Sequence, residues 1–488
     1  MVGKKDRSRP SLFMFVPGSL TDFIPKDHLL CRVKRALDLS WVTDLVRDAY
    51  CPDNGAPSID PEVVIRLLIV GYLYDVVRIR ELLREVQVNI AMRWFVGYGL
   101  DEDLPNHSSL SRIADRWGEE RFKRIFQRVV KACVDAGLVD GTKVHIDATL
   151  IRANVSWQSL VEVPIPPAPE TKSGTSDTAS EADGSRPAGK RKPGRPRTKP
   201  PKTRKQSTTD PEATMATSSH NRKLEPCFKQ HTAVDDLQGV ITDVAVTTGE
   251  TSEGQQLLAQ LDRVEANTGK KIETVTCDAG YAHPTNYEQL EKRKVDAVIP
   301  PQPENRHPPK IPSRRFKYDA RHQSVRCPHG QKLHFSHETD NGQVYSSRAR
   351  DCRDCPLRER CLPPSSNTRT ITIVNGYEAW LRARRRKAKG WDEETRELYN
   401  RHRWRAEGKH GEAKERHGLR RAVRRGLAKV AIQSYLTAIV MNLKLLAGLL
   451  VVLWNWLVEA TGFTPNLPET RTIPADPDSV PEHLRKAA

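Results

Sequence analysis

Residues 142–151, TKVHIDATLI, alternate like a half-buried strand yet place Asp147 among β-branched and apolar neighbours. A carboxylate inside such a strand is costly unless it is paired or bound to a cation. A second acid, Asp278, closes another apolar run, KIETVTCDAGY at 271–281. Between the two lie paired strands around the turn Asp236–Gly239 and a helix stopped by Gly269. A helix entered through Pro284 and a short strand, DAVIPP, follow Asp278. This order predicts one mixed α/β sheet bearing both acids. Either acid alone reads as a strand end bonded to loop amides. Two together repel unless a hard cation such as Mg²⁺ sits between them, and phosphodiester chemistry commonly uses two such ions. The chain is basic, 79 Lys+Arg against 61 Asp+Glu and a net charge of +18, which points to a polyanionic partner.

A third oxygen ligand is expected late in the chain, in RWRAEGKHGEAK at 403–414. On a regular helix, Arg403 stands four positions before Glu407 and Lys414 seven after it, so all three share a face. Glu412 lies about 140° round from Glu407 and has no cation at the matching positions. Glu407 is therefore the candidate ligand, flanked by phosphate-binding cations, and Glu412 a surface acid paired with Arg416.

Residues 1–20 read as a flexible tail and 21–139 as an all-α domain with Asp60 capping a helix that starts at Pro61. Arg112, Arg116, Arg121 and Lys123 there are either a solvated face or DNA contacts. The first catalytic strand spans 140–157. Residues 158–222 are Pro-, Ser- and Lys/Arg-rich and predict a disordered insertion. Within it KRKPGRPRTKPP resembles an AT-hook, with Lys190, Arg191, Lys192, Arg195 and Arg197 as DNA contacts, minor-groove or unspecific. The sheet resumes over 223–304. A Cys-bearing insertion occupies 305–370, C-terminal helices 371–462, and a Pro-rich tail 463–488. Cys327, Cys352, Cys355 and Cys361 give C-x24-C-x2-C-x5-C, a candidate structural Zn²⁺ site. His329, His334 and His337 are substitute ligands, an Fe–S cluster the lesser option, and plain packed thiols the alternative. The run LTAIVMNLKLLAGLLVVLWNWLV is broken by Asn442, Lys444 and Asn455, so it predicts a buried helix rather than a membrane span. With no signal-peptide h-region at the start, a cytoplasmic protein working on nucleic acid is expected.

HIDATLI, TCDAGY and R-x3-E-x6-K in this order resemble the signature of DDE transposases. The chain is most similar to the bacterial insertion-sequence group spanning the IS4, IS5 and IS1182 families, the last above all. FKQHTAVDDLQGVITDVAVTTGETSEGQQL, CP-G…C-x2-CP-x-R-x2-C and G-L-R-R…R-G-L-x-K-V…N-L-K-L-L extend the likeness over most of the chain. The resemblance implies an RNase H-like sheet with Asp147 and Asp278 on adjacent strands, two Mg²⁺ (or Mn²⁺) ions held by Asp147, Asp278 and Glu407, and DNA-backbone contacts from Arg403 and Lys414. It implies cleavage at element ends, strand transfer into target double-stranded DNA, a homodimer on DNA, and action at the bacterial nucleoid. Tyr399 is one position out of step with the family's tyrosine, position 400 being Asn, and reaches the site only from a shifted turn. Tyr281 either stacks on a base or packs in the core. A catalytically degenerate DNA-binding regulator and a nuclease that never joins strands are the alternatives.

Overall fold

The computed structural model describes residues 19–51, 53–54, 58–164, 203–217, 223–302 and 311–461, with side chains to 449. The chain opens with six helices, α1 (Leu29–Ala36), α2 (Val42–Val46), α3 (Pro61–Leu73), α4 (Ile79–Val88), α5 (Ile90–Val96) and α6 (His107–Asp135). Their ends follow the sequence signals. The Asp60 side chain accepts from the Glu62 amide ahead of Pro61, and the Asn106 side chain caps α6. Gly137 then takes the left-handed conformation, φ 73°, that ends the domain.

The central sheet comprises β1 (Lys143–Arg152), β4 (Thr214–Ala216), β5 (Glu225–Asp235), β6 (Ile241–Thr248), β7 (Thr274–Cys277) and β8 (Asp296–Val298). The hydrogen-bonded order is β6-β5-β1-β7-β8, with β4 also on β5; β5 runs antiparallel to β1, while β7 and β8 run parallel to it. Helices α7 (Leu257–Thr268) and α8 (Pro284–Lys292) cover one face, packing Leu257, Leu261, Val264 and Leu290 on Ile146, Val275 and Cys277.

Part of the predicted disordered insertion is ordered. β2 (Leu160–Pro164) and β3 (Thr203–Ser207) pair as a two-stranded ribbon, and β4 adds to the main sheet. Polar composition hid them because main-chain pairing, not side-chain burial, holds the ribbon, and β2 and β3 are largely exposed. The AT-hook-like residues Lys190–Arg197 lie outside the described residues, as do the two chain ends, 1–18 and 462–488.

The Cys-bearing segment forms its own five-stranded sheet, β13-β12-β11-β10-β9, from β9 (Lys317–Asp319), β10 (Ser324–Arg326), β11 (Lys332–Thr339), β12 (Gly342–Ser346) and β13 (Thr370–Val374), with α9 (Ala349–Arg353) and α10 (Arg358–Cys361) on it. Four further helices follow: α11 (Tyr377–Lys389), α12 (Glu393–His402), α13 (Gly408–Arg416) and α14 (Leu427–Thr461). A π-helical turn, Arg403–Glu407, joins α12 to α13. Helix α14 is long and apolar enough to cross a membrane, but 89% of its apolar window is buried inside the protein. Its Val430, Leu436, Ile439, Val440 and Leu443 share one core with Phe122, Phe126 and Val130 of α6 and with Val234 and Val244 of the sheet. The N-terminal helices therefore have no core separate from the catalytic sheet. Their apolar faces are covered by α14, a partner 300 residues away that no local pattern announces.

Candidate functional site

The parallel pairing of β1 and β7 aligns His145 with Thr276 and Ile146 with Cys277. Strand alternation then turns His145, Asp147 and Thr276 toward the same face, and Asp278 follows just past the end of β7. The segment α12–α13 lies across that face. His410 of α13 approaches the Asp147 carboxylate at 3.3 Å. Burial pushes the Asp147 carboxyl up, but the His410 hydrogen bond and the nearby rings outweigh it and leave it below its ordinary value. Asp278 goes the other way. Burial, then the charges of Asp147, Glu253 and Glu407, raise it to about 6, against a single opposing hydrogen bond from the Gly280 amide. A carboxyl repelled by three acids is a place where a hard cation would be stabilising.

Glu407 sits at the lip, 61% exposed, with Arg403 at 3.8 Å as its ion-pair partner. Arg403 is also exposed. Lys414 is half-buried, its ammonium pushed down by burial and by Arg420, and drawn the other way by Asp147. It lines an open cleft of about 770 Å³ with Arg78, Asn154, Arg420 and Arg421, a surface shared by the N-terminal helices and the catalytic segment. Among the described residues, no three His, Cys, Asp or Glu side chains stand close enough to share an ion as they are. The oxygen donors of Asp147 and Asp278 fit a hard metal by chemistry.

Three expectations are corrected here. Tyr281 is fully buried, packed with Leu257, Val275 and Tyr287, so it is a core residue and has no face to offer a base. Glu412 is not a solvent-side partner of Arg416. Its carboxylate is 25% exposed and meets Lys444 of α14, with His417 and Lys409 each at 3.5 Å. The helix face opposite Glu407 exists as argued, but α14 covers it. The helix itself is also irregular. A π turn spends one more residue than an α turn, and Arg403–Glu407 forms one immediately after the helix that bears Tyr399. The Tyr399 ring stands edge-on to Trp391 at 5.0 Å and stacks beside His402 at 6.0 Å. Burial raises its hydroxyl pKa, and the charges of Asp278, Glu407 and Asp147 add to the effect, so this side chain belongs to the site's surroundings.

Other members escaped sequence reasoning. Glu253, in the turn after β6, points Oε2 toward the position 2.8 Å from a Cβ built on Gly280, with Asp278 Oδ1 2.9 Å from the same point. Only glycine leaves room for the two carboxylates, and Lys229 at 3.1 Å balances Glu253. Trp404, next to Arg403, is 80% exposed. A large apolar ring left in water beside the acids is a signal that could have been read from RWRAE.

Behind the acids runs a polar chain. Arg401 donates Nε and Nη2 to the two Asp236 oxygens, both at 2.9 Å. His145 Nε2 meets Asp236 Oδ1 at 2.9 Å, His145 Nδ1 meets Thr276 Oγ1 at 2.7 Å, and Thr276 Oγ1 meets His402 Nδ1 at 2.8 Å. Burial lowers His145, and lowers His402 to about 4, so both rings are neutral at pH 7. An ionised Asp236 can only accept, which fixes every direction: His402 donates to Thr276, Thr276 to His145, and His145 to Asp236.

Cys327, Cys352, Cys355 and Cys361 are brought together around one cavity of about 30 Å³, with His329 also on its wall; His334 and His337 are not among the lining residues. Burial raises the Cys361 thiol, and the other three cysteines add to the shift.

Residues 18–116 match the family described as "Transposase domain (DUF772)", and residues 326–447 match "Transposase DDE domain". Glu407, its cations and the four cysteines fall within the second match; Asp147 and Asp278 lie between the two. No curated protein matches the sequence. Among solved structures, the piggyBac transposase synaptic complex with hairpin DNA is 11% identical, covering 94% of this chain and 88% of that one, at a TM-score of 0.28, too slight a likeness to argue from.

Proposed function

We propose that the chain is a DDE insertion-sequence transposase, an enzyme that binds, cuts and transfers DNA strands, a reading supported by its two matches to transposase domain families. The sheet order β6-β5-β1-β7-β8, with β5 antiparallel, supports assigning its core to the RNase H-like fold. Asp147, Asp278 and Glu407 would hold two Mg²⁺ or Mn²⁺ ions, whose chemistry is to activate the attacking oxygen and stabilise the leaving one. The observation that carries this is that the parallel pairing of β1 and β7 sets Asp147 beside Asp278, just past the end of β7, with the charges of Asp147 and Glu407 both felt at Asp278.

The chain's own groups do the rest. Arg403 at the lip and Lys414 in the cleft bind backbone phosphates on either side of the acids, fixing the scissile bond in line for attack. Tyr399 is half-buried near the acids and serves as a phosphate or sugar contact. Lys190, Arg191, Lys192, Arg195 and Arg197 add salt-sensitive contacts. Trp404 stacks on a base unpaired at the element end. Trp404→Ala is therefore expected to slow cleavage of a fully paired end by about tenfold, and to be partly rescued on an end with pre-unpaired bases, since stacking is worth about 1–3 kcal/mol per base.

The protein is taken to act on DNA in the bacterial cytoplasm, as a dimer holding two ends. The test is incubation of the full chain with DNA carrying the native element ends and Mg²⁺, scoring cut and joined products. Cutting without joining would favour a nuclease, and binding alone a regulator.

Cys327, Cys352, Cys355 and Cys361 line one cavity without yet standing close enough to share an ion, and the C-x2-C pair with two further thiols supports a structural Zn²⁺ that draws them together in the smaller sheet. One zinc per chain is expected by elemental analysis, lost in the Cys352→Ser/Cys355→Ser variant; a zinc-free native protein would rule the site out.

A further inference from the structure

We propose that Asp236 is a positioning residue for Glu407, locking the segment that bears this acid in register with the strands that bear Asp147 and Asp278. The inference rests on the catalytic reading above. Each of the three acid-bearing elements contributes to one connected set of hydrogen bonds. His145 lies two residues before Asp147 on β1, and Thr276 two residues before Asp278 on β7. Arg401 and His402 immediately precede the π turn that ends at Glu407. All of these run to one carboxylate, in the turn between β5 and β6. One arm is the two-point contact of Arg401 on Asp236. The other is the chain from Asp236 through His145 and Thr276 to His402, with His145, Thr276 and His402 all buried.

The same turn grips the helix a third time, where Arg405 donates to the Leu237 carbonyl at 2.8 Å. Gly239 makes room for this approach. A Cβ there would come within 3.0 Å of Arg405 Nη1, and its φ of 72° is itself unfavourable for other residues. A π turn is a loose element whose side-chain directions shift with small changes in its ends. Holding its entrance at residues 401 and 402 and its middle at 405 constrains where Glu407 points. The latch is also one cross-strand layer behind the acids, so it sets register without occupying the site.

Asp236→Asn, Arg401→Gln, their combination, and Thr276→Val should be compared in the full chain, with Asp262→Asn as a comparator that breaks only the surface pair with Arg293. Cleavage of element-end DNA gives kcat and KM, and electron paramagnetic resonance gives Mn²⁺ affinity without turnover. Asp236→Asn is expected to lower kcat by about a hundredfold, the scale of an ångström-level misplacement, with KM for the DNA end within about twofold and Mn²⁺ bound about tenfold more weakly. The double variant should be no worse than its poorer parent, because both remove one unit. Thr276→Val, which keeps shape and removes only the hydroxyl, should show the same split more weakly, and it decides the matter alone if Asp236→Asn does not fold. Asp262→Asn should change neither parameter. Unchanged kcat and Mn²⁺ affinity in Asp236→Asn or, failing that, Thr276→Val would overturn the proposal. So would losses confined to melting temperature. A Glu407→Gln protein that still cleaves would instead overturn the catalytic reading beneath it.

Discussion

Glu407→Gln is expected to abolish strand cleavage and joining, by about a thousandfold or more, without lowering the melting temperature. The structure separates the two effects cleanly. Glu407 is more than half exposed, and its ion pair, with Arg403 at 3.8 Å, is of the kind worth less than about 1 kcal/mol. Little stability depends on it. Its electrostatic reach is different, because its charge is felt at Asp278 and at Tyr399. Glutamine keeps the shape and removes the charge, so a metal centre loses an anionic ligand while the fold does not notice. The measurement is cleavage and joining on native element ends with Mg²⁺, beside thermal unfolding of the same preparations. Activity within tenfold of the parent would remove Glu407 from the site.

Much of this was legible because strands report their own faces. HIDATLI and TCDAGY each displayed one acid in an apolar alternation, which placed both acids in one mixed sheet, while their adjacency on neighbouring strands was legible only through the resemblance to DDE transposases. The helix was harder. Placing Arg403, Glu407 and Lys414 on one face assumed 3.6 residues per turn, and the π turn at Arg403–Glu407 breaks that assumption between Tyr399 and Glu407. RWRAE reads like any α-helical stretch, and the π turn shows only in the folded chain, where Arg401 just before it and Arg405 within it bond the Asp236–Leu237 turn. Long-range packing also explains Tyr281. Its neighbours Leu257 and Tyr287 come from α7 and α8, and only their docking decides that the ring is covered. Glu253 was missed because a turn glutamate looks solvated until Gly280 lets Asp278 approach it.

Glu412→Gln should behave oppositely to Glu407→Gln, losing stability before it loses chemistry. Its carboxylate is the common partner of Lys444, His417 Nε2 and Lys409, while His417 Nδ1 donates to the Tyr72 carbonyl of α3 at 2.8 Å. Helix α13, helix α14 and the N-terminal helices thus meet at one acid. Removing one member of a largely buried ionic cluster leaves the others unpaired, at a cost of about 2–4 kcal/mol, somewhat under the figure for a wholly buried pair because this one retains some solvent. The pH dependence has a definite sign. The His417 hydrogen bond, then Lys444 and Lys409, outweigh burial and hold the Glu412 carboxyl far below its ordinary value. A depressed folded pKa means that the stabilisation is complete above the unfolded value of about 4.3 and is withdrawn as the pH falls toward the folded one. Denaturant unfolding of the parent between pH 7 and pH 3 should therefore carry an acid-side slope that Glu412→Gln lacks, while the two proteins differ by a constant amount above about pH 5. Assayed well below its melting temperature, the variant should retain kcat within a few-fold, because α12 and the π turn that carries Glu407 stay docked through Arg401 on Asp236 and Arg405 on the Leu237 carbonyl. A Glu412→Gln protein of full stability but no activity would exchange the roles of the two glutamates.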